Sequence, residues 1–232
     1  MGSSVAIITA RGGSKRIPRK NIKLFLGKPI IQYSIEAAID SGCFTEVMVS
    51  TDDYEIAELA LKFGAKVPFM RSKRNSDDFS TTADVLLEVL EAYRLTGQRF
   101  ECFCCIYPTA PFITPAKLST AMNMLVDTGV DCVLPVLQFG YPIERCLRVE
   151  KNRAFMEHPD NYSSRSQDFA PAYHDAGQFY CLELSSFLEQ RVLFPKDTLP
   201  MITSHLEVQD IDTDDDWELA EFKYQYLKKT VE

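Results

Sequence analysis

Five cations stand within ten residues: Arg11, Lys15, Arg16, Arg19 and Lys20. They follow an apolar run, Val5–Ala10, and a glycine pair, Gly12-Gly13. Residues 7–21 read Ile-Ile-Thr-Ala-Arg-Gly-Gly-Ser-Lys-Arg-Ile-Pro-Arg-Lys-Asn. Such a loop repels itself unless an anion sits in it. The glycines let backbone N–H groups turn toward that anion with no Cβ in the way. A strand that ends in a Gly-rich cationic turn is how α/β proteins hold phosphates, at the carboxyl end of a sheet. The loop is expected to wrap a nucleoside triphosphate. Near the other end, Glu207–Glu218 holds seven acids and no base. Within it, Asp210-Ile211-Asp212 at a strand end would put both carboxylates on one side, because side chains alternate with period two. Hard oxygen ligands of this kind suit Mg²⁺, which takes a few carboxylates plus phosphate oxygens and waters. Asp212 could instead cap the last helix, a role for which Thr213 and Asp214 are also available.

The elements that must position these groups alternate. Val5–Ala10 reads as a buried strand and Pro29–Asp40 as a helix with Ile30, Ile31, Ile35, Ala38 and Ile39 on one face. Glu46–Ser50 is a second strand, and Asp52-Asp53 caps a helix over Tyr54–Phe63 that Gly64 stops. Val67–Met70 reads as a third strand. A helix capped by Ser80, Thr81 or Thr82 runs to about Arg94. Phe103–Ile106 is a fourth strand, Thr114-Pro115 opens a helix closed near Gly129, and Cys132–Val136 is a fifth strand. Repeated strand–helix units mean a mostly parallel sheet with helices on both faces, a three-layer α/β/α Rossmann-like arrangement. From Gln138 to Pro171 the chain is polar, aromatic and irregular, with β-like pieces at Cys146–Val149 and Ala154–Met156. That stretch, 139–168, reads as an extruded hairpin arm on a single domain spanning 1–232. Gln178–Leu182 returns to strand, Ser185–Gln190 is a short helix, and Met201–Ser204 is a last strand. The C-terminal helix is expected to bury Leu219, Phe222, Tyr226 and Leu227.

The totals exclude several classes. A net charge of −8 argues against nucleic-acid and anionic-membrane binding. No run approaches the ~20 apolar residues of a membrane span. No signal peptide is expected, because the early apolar run is followed by cations rather than preceded by them. Seven cysteines show neither a zinc spacing nor a disulfide framework, which suits reduced thiols in a cytoplasmic protein. The glycine loop is neither Gly-x-x-x-x-Gly-Lys-Ser/Thr nor Gly-x-Gly-x-x-Gly, which disfavours ordinary kinases, ATPases and dehydrogenases.

The Ala10–Asn21 loop resembles the nucleotide loop of the sugar cytidylyltransferases, and most of all that of the sialic-acid-type synthetases. The likeness extends through Ser50-Thr51-Asp52, Arg71, Ser76-Asp77 through Thr81, Pro108-Thr109-Ala110-Pro111 and Asp210-Ile211-Asp212. It implies a nucleotide-diphospho-sugar transferase fold. It also implies that Ala10, Arg11, Gly12, Gly13, Ser14, Lys15, Lys20 and Asn21 contact the triphosphate and ribose of CTP. Lys15, Arg11 and Lys20 would neutralise charge on the bridging and leaving oxygens. Arg71, Ser80 and Thr81 match positions that read the cytosine edge, and Asp210 and Asp212 match the Mg²⁺ ligands.

For the acidic sugar, Arg165 is expected to fork onto a carboxylate. Asp175 and Gln178 would read hydroxyl or acetamido groups, and His174 would position them. Tyr107 stands where sialic-acid enzymes carry Gln, beside Thr109, and Ala176 where they carry Asn. With Tyr141-Pro142-Ile143-Glu144-Arg145 and the Pro171–Tyr180 run, these departures look most like the pseudaminic acid cytidylyltransferases. The reaction so implied joins CMP from CTP to the anomeric hydroxyl of a nine-carbon 2-keto acid, releasing pyrophosphate. Sialic acid, legionaminic acid and the eight-carbon acid of lipopolysaccharide are the alternative acceptors. A nucleotide-binding sensor would lack the metal pair or the lysine, and both are present. The arm is expected to join two chains as a homodimer.

Overall fold

The computed structural model describes residues 2–231. Strand β1 (Ser4–Thr9) runs into the cationic loop. A tight hairpin of β2 (Leu24–Phe25) and β3 (Lys28–Pro29), absent from the sequence reading, leads into α1 (Ile30–Asp40). Then come β4 (Glu46–Ser50), α2 (Tyr54–Lys62), α3 (Thr82–Leu95), β5 (Cys102–Ile106), α4 (Pro115–Thr128) and β6 (Cys132–Gln138). A second hairpin, β7 (Leu147–Glu150) and β8 (Arg153–Met156), precedes β9 (Tyr173–Asp175) and β10 (Phe179–Glu183). The chain ends with α5 (Leu184–Gln190), β11 (Thr198–Ile202) and α6 (Asp214–Val231).

The seven-stranded sheet has the order β11-β6-β10-β5-β1-β4, with β9 also paired to β6. β1 lies parallel to β4 and β5, and β6 parallel to β11. β10 runs antiparallel between β5 and β6, so one strand of opposite sense sits near the middle of the sheet. β9 and β10 continue one another along β6, broken at Gly177, whose φ of 63° is easily reached without a Cβ. The carboxyl ends of β1, β4 and β5 therefore share an edge with the β9–β10 break.

Period-two alternation divides the core. Ala6 and Ile8 of β1 pack with Ile31 and Ile35 of α1 and with Leu118 and Met122 of α4. Val5 and Ile7 face the opposite side, against Leu86, Val89 and Tyr93 of α3 and Phe187 of α5. A third cluster lies beyond the sheet edge: Ile17, Phe25, Ile30, Phe112, Ile211, Trp217 and Ala220.

Two expected elements differ. Val67–Met70 is not a strand. Only Lys66 bridges to Met48, and Arg71 N–H bonds the Thr51 carbonyl beyond it. Pro68, with no N–H to donate, stands between these bonds. On α6 the buried face is Trp217, Ala220, Tyr224 and Leu227, whereas Leu219, Phe222 and Tyr226 are exposed. Both stripes have helical spacing, and the one carrying Trp217 packs edge-on against Phe25 at 5.7 Å. The expected arm is present as β7–β8, a sheet of its own with β7 wholly exposed. Its two-residue turn, Lys151-Asn152, has φ of 47° and 61°, as a type I′ hairpin requires.

Asp53 caps α2 by accepting the Glu55 and Ile56 N–H groups, and its carboxylate also pairs with Arg19. The Arg19 bond, aided by the cap, holds the Asp53 carboxyl below its ordinary range. Asp53→Ala should lower unfolding free energy by about 1–2 kcal/mol at pH 7. Because the folded pKa is the lower one, this contribution is fully present above the unfolded value of about 3.9. It disappears as pH falls through the folded value. Urea titrations at pH 7 and below pH 4 should show the gap between wild type and variant closing in acid.

Candidate active site

Three parallel strands end together, and their loops form the site. After β1 the chain turns at Gly12, whose N–H donates to Asp52 Oδ1 at 2.9 Å. A Cβ on Gly12 would lie 2.6 Å from Asp53 Oδ2, so packing of the loop on the Asp52-Asp53 turn demands glycine there. That amide faces Asp52 and is not free for an anion. Arg11, Ser14, Lys15, Lys20 and Asn21 line one cavity of about 420 Å³, floored by Thr9, Pro108 and Thr109. Asn21 is buried and donates Nδ2–H to the Arg11 carbonyl at 2.8 Å, which fixes the loop. Ala10 is buried and its N–H bonds the Ser50 carbonyl at 2.9 Å. Gly13 lines no described cavity, and a Cβ there would touch nothing within 4 Å.

The cations are neutralised by protein carboxylates. Arg11 donates to Asp78 Oδ1 at 2.9 Å and to the Asp77 carbonyl at 2.8 Å, and Lys15 pairs with the other Asp78 oxygen. Lys15 first, then Arg11, hold the Asp78 carboxyl below the ordinary carboxylate range. Asp78 thus occupies the two cations expected to hold phosphate, and nothing in its sequence neighbourhood marked it. Arg16 pairs with Asp212, and Lys20 donates to the Ile211 carbonyl at 2.6 Å and approaches Asp212 Oδ1 at 3.5 Å. The positive loop and the negative turn are therefore neighbours, as expected from their charges.

Asp210 and Asp212 flank buried Ile211 in a segment that is not the strand end expected of them. The capping alternative falls to Thr213. Its hydroxyl accepts the Asp216 N–H at 3.2 Å, while Asp216 Oδ2 accepts the Thr213 N–H at 2.8 Å. That leaves both Asp210 and Asp212 outside the cap. Among the described residues no group of three or more metal-binding side chains exists. Two carboxylates, one of them paired with Arg16 and Lys20 of the cationic loop, nonetheless have the chemistry to hold a hard cation that takes its other ligands from phosphate and water.

The residues expected to read the base lie outside this cavity. Arg71 is 8% exposed, with Nε–H on Ser50 Oγ at 3.0 Å and Nη2–H on the Ser50 carbonyl at 2.6 Å. Burial lowers its pKa, and Asp52 opposes that. Ser80 donates to the Arg74 carbonyl and to Asp77, and Thr81 forms a capping box with Asp84 at the start of α3. None of these three lines the Arg11–Lys15 cavity.

A second cavity, about 540 Å³, shares Tyr107 and Thr109 with the first. His174, Asp175, Gly177, Tyr180, Gln209, Asp210 and Lys223 also line it. Asp175 accepts the Gly177 N–H at 2.7 Å and the Tyr180 hydroxyl. Burial, then Tyr107 and Asp175, push the Tyr180 phenol upward, so it stays a donor. His174 stacks on Phe139 at 4.9 Å and its Nδ1 lies 2.9 Å from the Asp175 carbonyl. Two expected sugar residues are elsewhere. Gln178 is buried and donates to the Glu207 carbonyl at 2.7 Å. Arg165 is exposed beside the arm, 3.3 Å from Asp168. Tyr180 and Lys223 escaped the sequence reading because they sit on a regular strand and a regular helix.

Two adjoining cavities at the carboxyl end of a Rossmann-like sheet, one cationic and one mixed, define a nucleotidyltransferase. Residues 5–218 match the cytidylyltransferase family model, and the chain belongs to that family. It is 43% identical to the pseudaminic acid cytidylyltransferase of Campylobacter jejuni over 96% of both chains. It is 31% identical to the CMP-N,N′-diacetyllegionaminic acid synthase of Legionella pneumophila over 94% of both. The solved structure of CMP-2-keto-3-deoxy-manno-octonic acid synthetase complexed with CTP covers 98% of this chain and 99% of its own, with a TM-score of 0.66 and 20% identity. At that identity the likeness shows the fold alone.

Removing the carboxylate of Asp78 should free Arg11 and Lys15 for phosphate. Asp78→Asn is expected to tighten CTP binding about two- to five-fold by calorimetry, in the range of an exposed ion pair. Lys15→Ala should weaken it. Weaker binding by Asp78→Asn would mean that Asp78 supports the site rather than standing in for phosphate.

Proposed function

We propose that this chain transfers CMP from CTP to the anomeric hydroxyl of a nine-carbon 2-keto acid sugar, with pseudaminic acid the preferred acceptor. The observation that carries the reading is the pair of cavities meeting at Tyr107 and Thr109. A triphosphate seated among Arg11, Ser14, Lys15 and Lys20 puts its α-phosphate toward that shared wall. An acid sugar in the second cavity approaches the same wall. The anomeric oxygen bonds to the α-phosphorus, the bond from that phosphorus to the α,β-bridging oxygen breaks to release pyrophosphate, and the hydroxyl proton passes to water. The protein contributes position and charge more than covalent chemistry. Lys15, Arg11 and Lys20 hold the charge that collects on departing pyrophosphate. Asp210 and Asp212 would hold Mg²⁺, which supplies charge neutralisation and acidifies the attacking hydroxyl. Arg71 would complete base recognition through the guanidinium N–H groups that Ser50 leaves free. The names of the most similar relatives support the choice of sugar, and so do Tyr107 and Ala176 at positions where the sialic-acid enzymes carry amides. Six of the seven free thiols are buried, in keeping with a reducing cytoplasm.

Pyrophosphate release with CTP should be fastest with pseudaminic acid among a panel that includes sialic, legionaminic and eight-carbon acids. Chelation should stop it and Mg²⁺ restore it. Preference for another acid would reassign the acceptor, and no release with any would refute the transferase reading.

The reading includes a homodimer. Leu147, Val149 and Phe155 of the β7–β8 arm are exposed, as a surface covered by a second chain would be in isolation. Light scattering at micromolar concentration should give twice the chain mass, and a single chain mass contradicts it.

A further inference from the structure

Lys223 projects from α6 into the second cavity, among whose described lining residues it is the one lysine or arginine. Two carboxylates, Asp175 and Asp210, share that cavity. A sugar acid entering it meets negative charge unless a cation is present. Lys223 has three N–H donors. One goes to the Val208 carbonyl at 2.8 Å and one to Gln209 Oε1 at 2.9 Å. Both acceptors are neutral, and among the described residues Lys223 has no carboxylate within ion-pair distance. Most other cations around the site are already paired: Arg11 and Lys15 with Asp78, Arg16 and Lys20 with Asp212. A partly buried ammonium without a counter-ion is costly, and its persistence calls for an anionic ligand. In a 2-keto acid sugar the carboxylate is attached to the anomeric carbon, next to the attacking oxygen. It must therefore lie close to the junction of the two cavities, and Lys223 lines the one the sugar would fill.

We propose that Lys223 is the receptor for the sugar carboxylate, a role expected from the sequence for the guanidinium fork of Arg165. The proposal rests on the transferase reading but not on which stereoisomer is used, because every acid in the family of acceptors carries the same carboxylate. The ammonium contributes one charge-assisted bond, while its other two go to the Val208 carbonyl and the Gln209 side chain, next in sequence to Asp210.

The test is steady-state kinetics of Lys223→Met and Lys223→Arg, with CTP and the panel acid that the wild type turns over fastest. Lys223→Met should raise KM for the acid about tenfold or more, the scale of a lost hydrogen bond to a charged group. KM for CTP should stay within about twofold. Lys223→Arg should recover most of the loss. Thermal melts of both variants report whether the fold is intact. An unchanged KM for the acid overturns the proposal. So does a parallel rise in both KM values with no rescue by arginine, which would make Lys223 a strut for the 208–209 segment. If the wild type turns over no acid, the transferase reading fails on its own. Lys223 is then tested by calorimetric binding of pseudaminic acid to wild type and Lys223→Met. Equal affinity, or none in either protein, overturns the assignment.

Discussion

The site depends on an apolar contact rather than on its charges. Ile17 of the cationic loop and Ile211 of the acidic turn are both buried in one cluster with Phe25, Phe112 and Trp217. Each is flanked by charge: Arg16 beside the first, Asp210 and Asp212 beside the second. Burying the two isoleucines holds their charged neighbours in reach of one another before any nucleotide arrives: Arg16 lines the first cavity and pairs with Asp212, and Asp210 lines the second. Exposed ion pairs such as Arg16–Asp212 are worth too little to do this alone. Burial of an isoleucine contributes about 1.5–3 kcal/mol, and a tryptophan covers more area still. Lys23 lies over the Trp217 ring, 4.5 Å from its centroid, and pairs with Asp214 at 2.9 Å, which seals the cluster on its outer side.

This anchoring explains how the loop can hold so many like charges. Every cation of the loop has a carboxylate in reach: Asp78 for Arg11 and Lys15, Asp53 and Glu55 for Arg19, Asp212 for Arg16 and Lys20. Arg19 and Asp53 are structural, joining the loop to the start of α2. Asp78 lines the first cavity with Arg11 and Lys15, where a triphosphate would compete for its two cations, and Asp212 meets that cavity through Arg16 and Lys20. Preformed donors and acceptors of this kind need little reorganisation when charge moves toward pyrophosphate.

Much of the fold was legible because the pattern of apolar runs, caps and glycines is local. Asp53, Thr81 and Gly129 end or begin helices where their chemistry dictates. The antiparallel sense of β10 was not legible, because an apolar strand carries no mark of direction. The buried face of α6 was misjudged because it carries two stripes of helical period, and only the partner of Trp217 decides between them. In the site, residues clustered in sequence were readable: the Arg11–Asn21 loop and the Asp210–Asp212 pair. Asp78, Tyr180 and Lys223 were not, since each gains its meaning from a neighbour distant in the chain. Ser80, Thr81 and Gln178 were assigned to ligands, but the structure engages their side chains in a turn, a helix cap and a loop tie.

A crystal structure with CTP and Mg²⁺ addresses the central claim most directly. The account requires the triphosphate among Arg11, Ser14, Lys15 and Lys20, with Asp78 displaced and an ion shared between phosphate oxygens and Asp210 and Asp212. A nucleotide bound elsewhere, with Asp78 still on Arg11 and Lys15 and Arg16 still on Asp212, would contradict it.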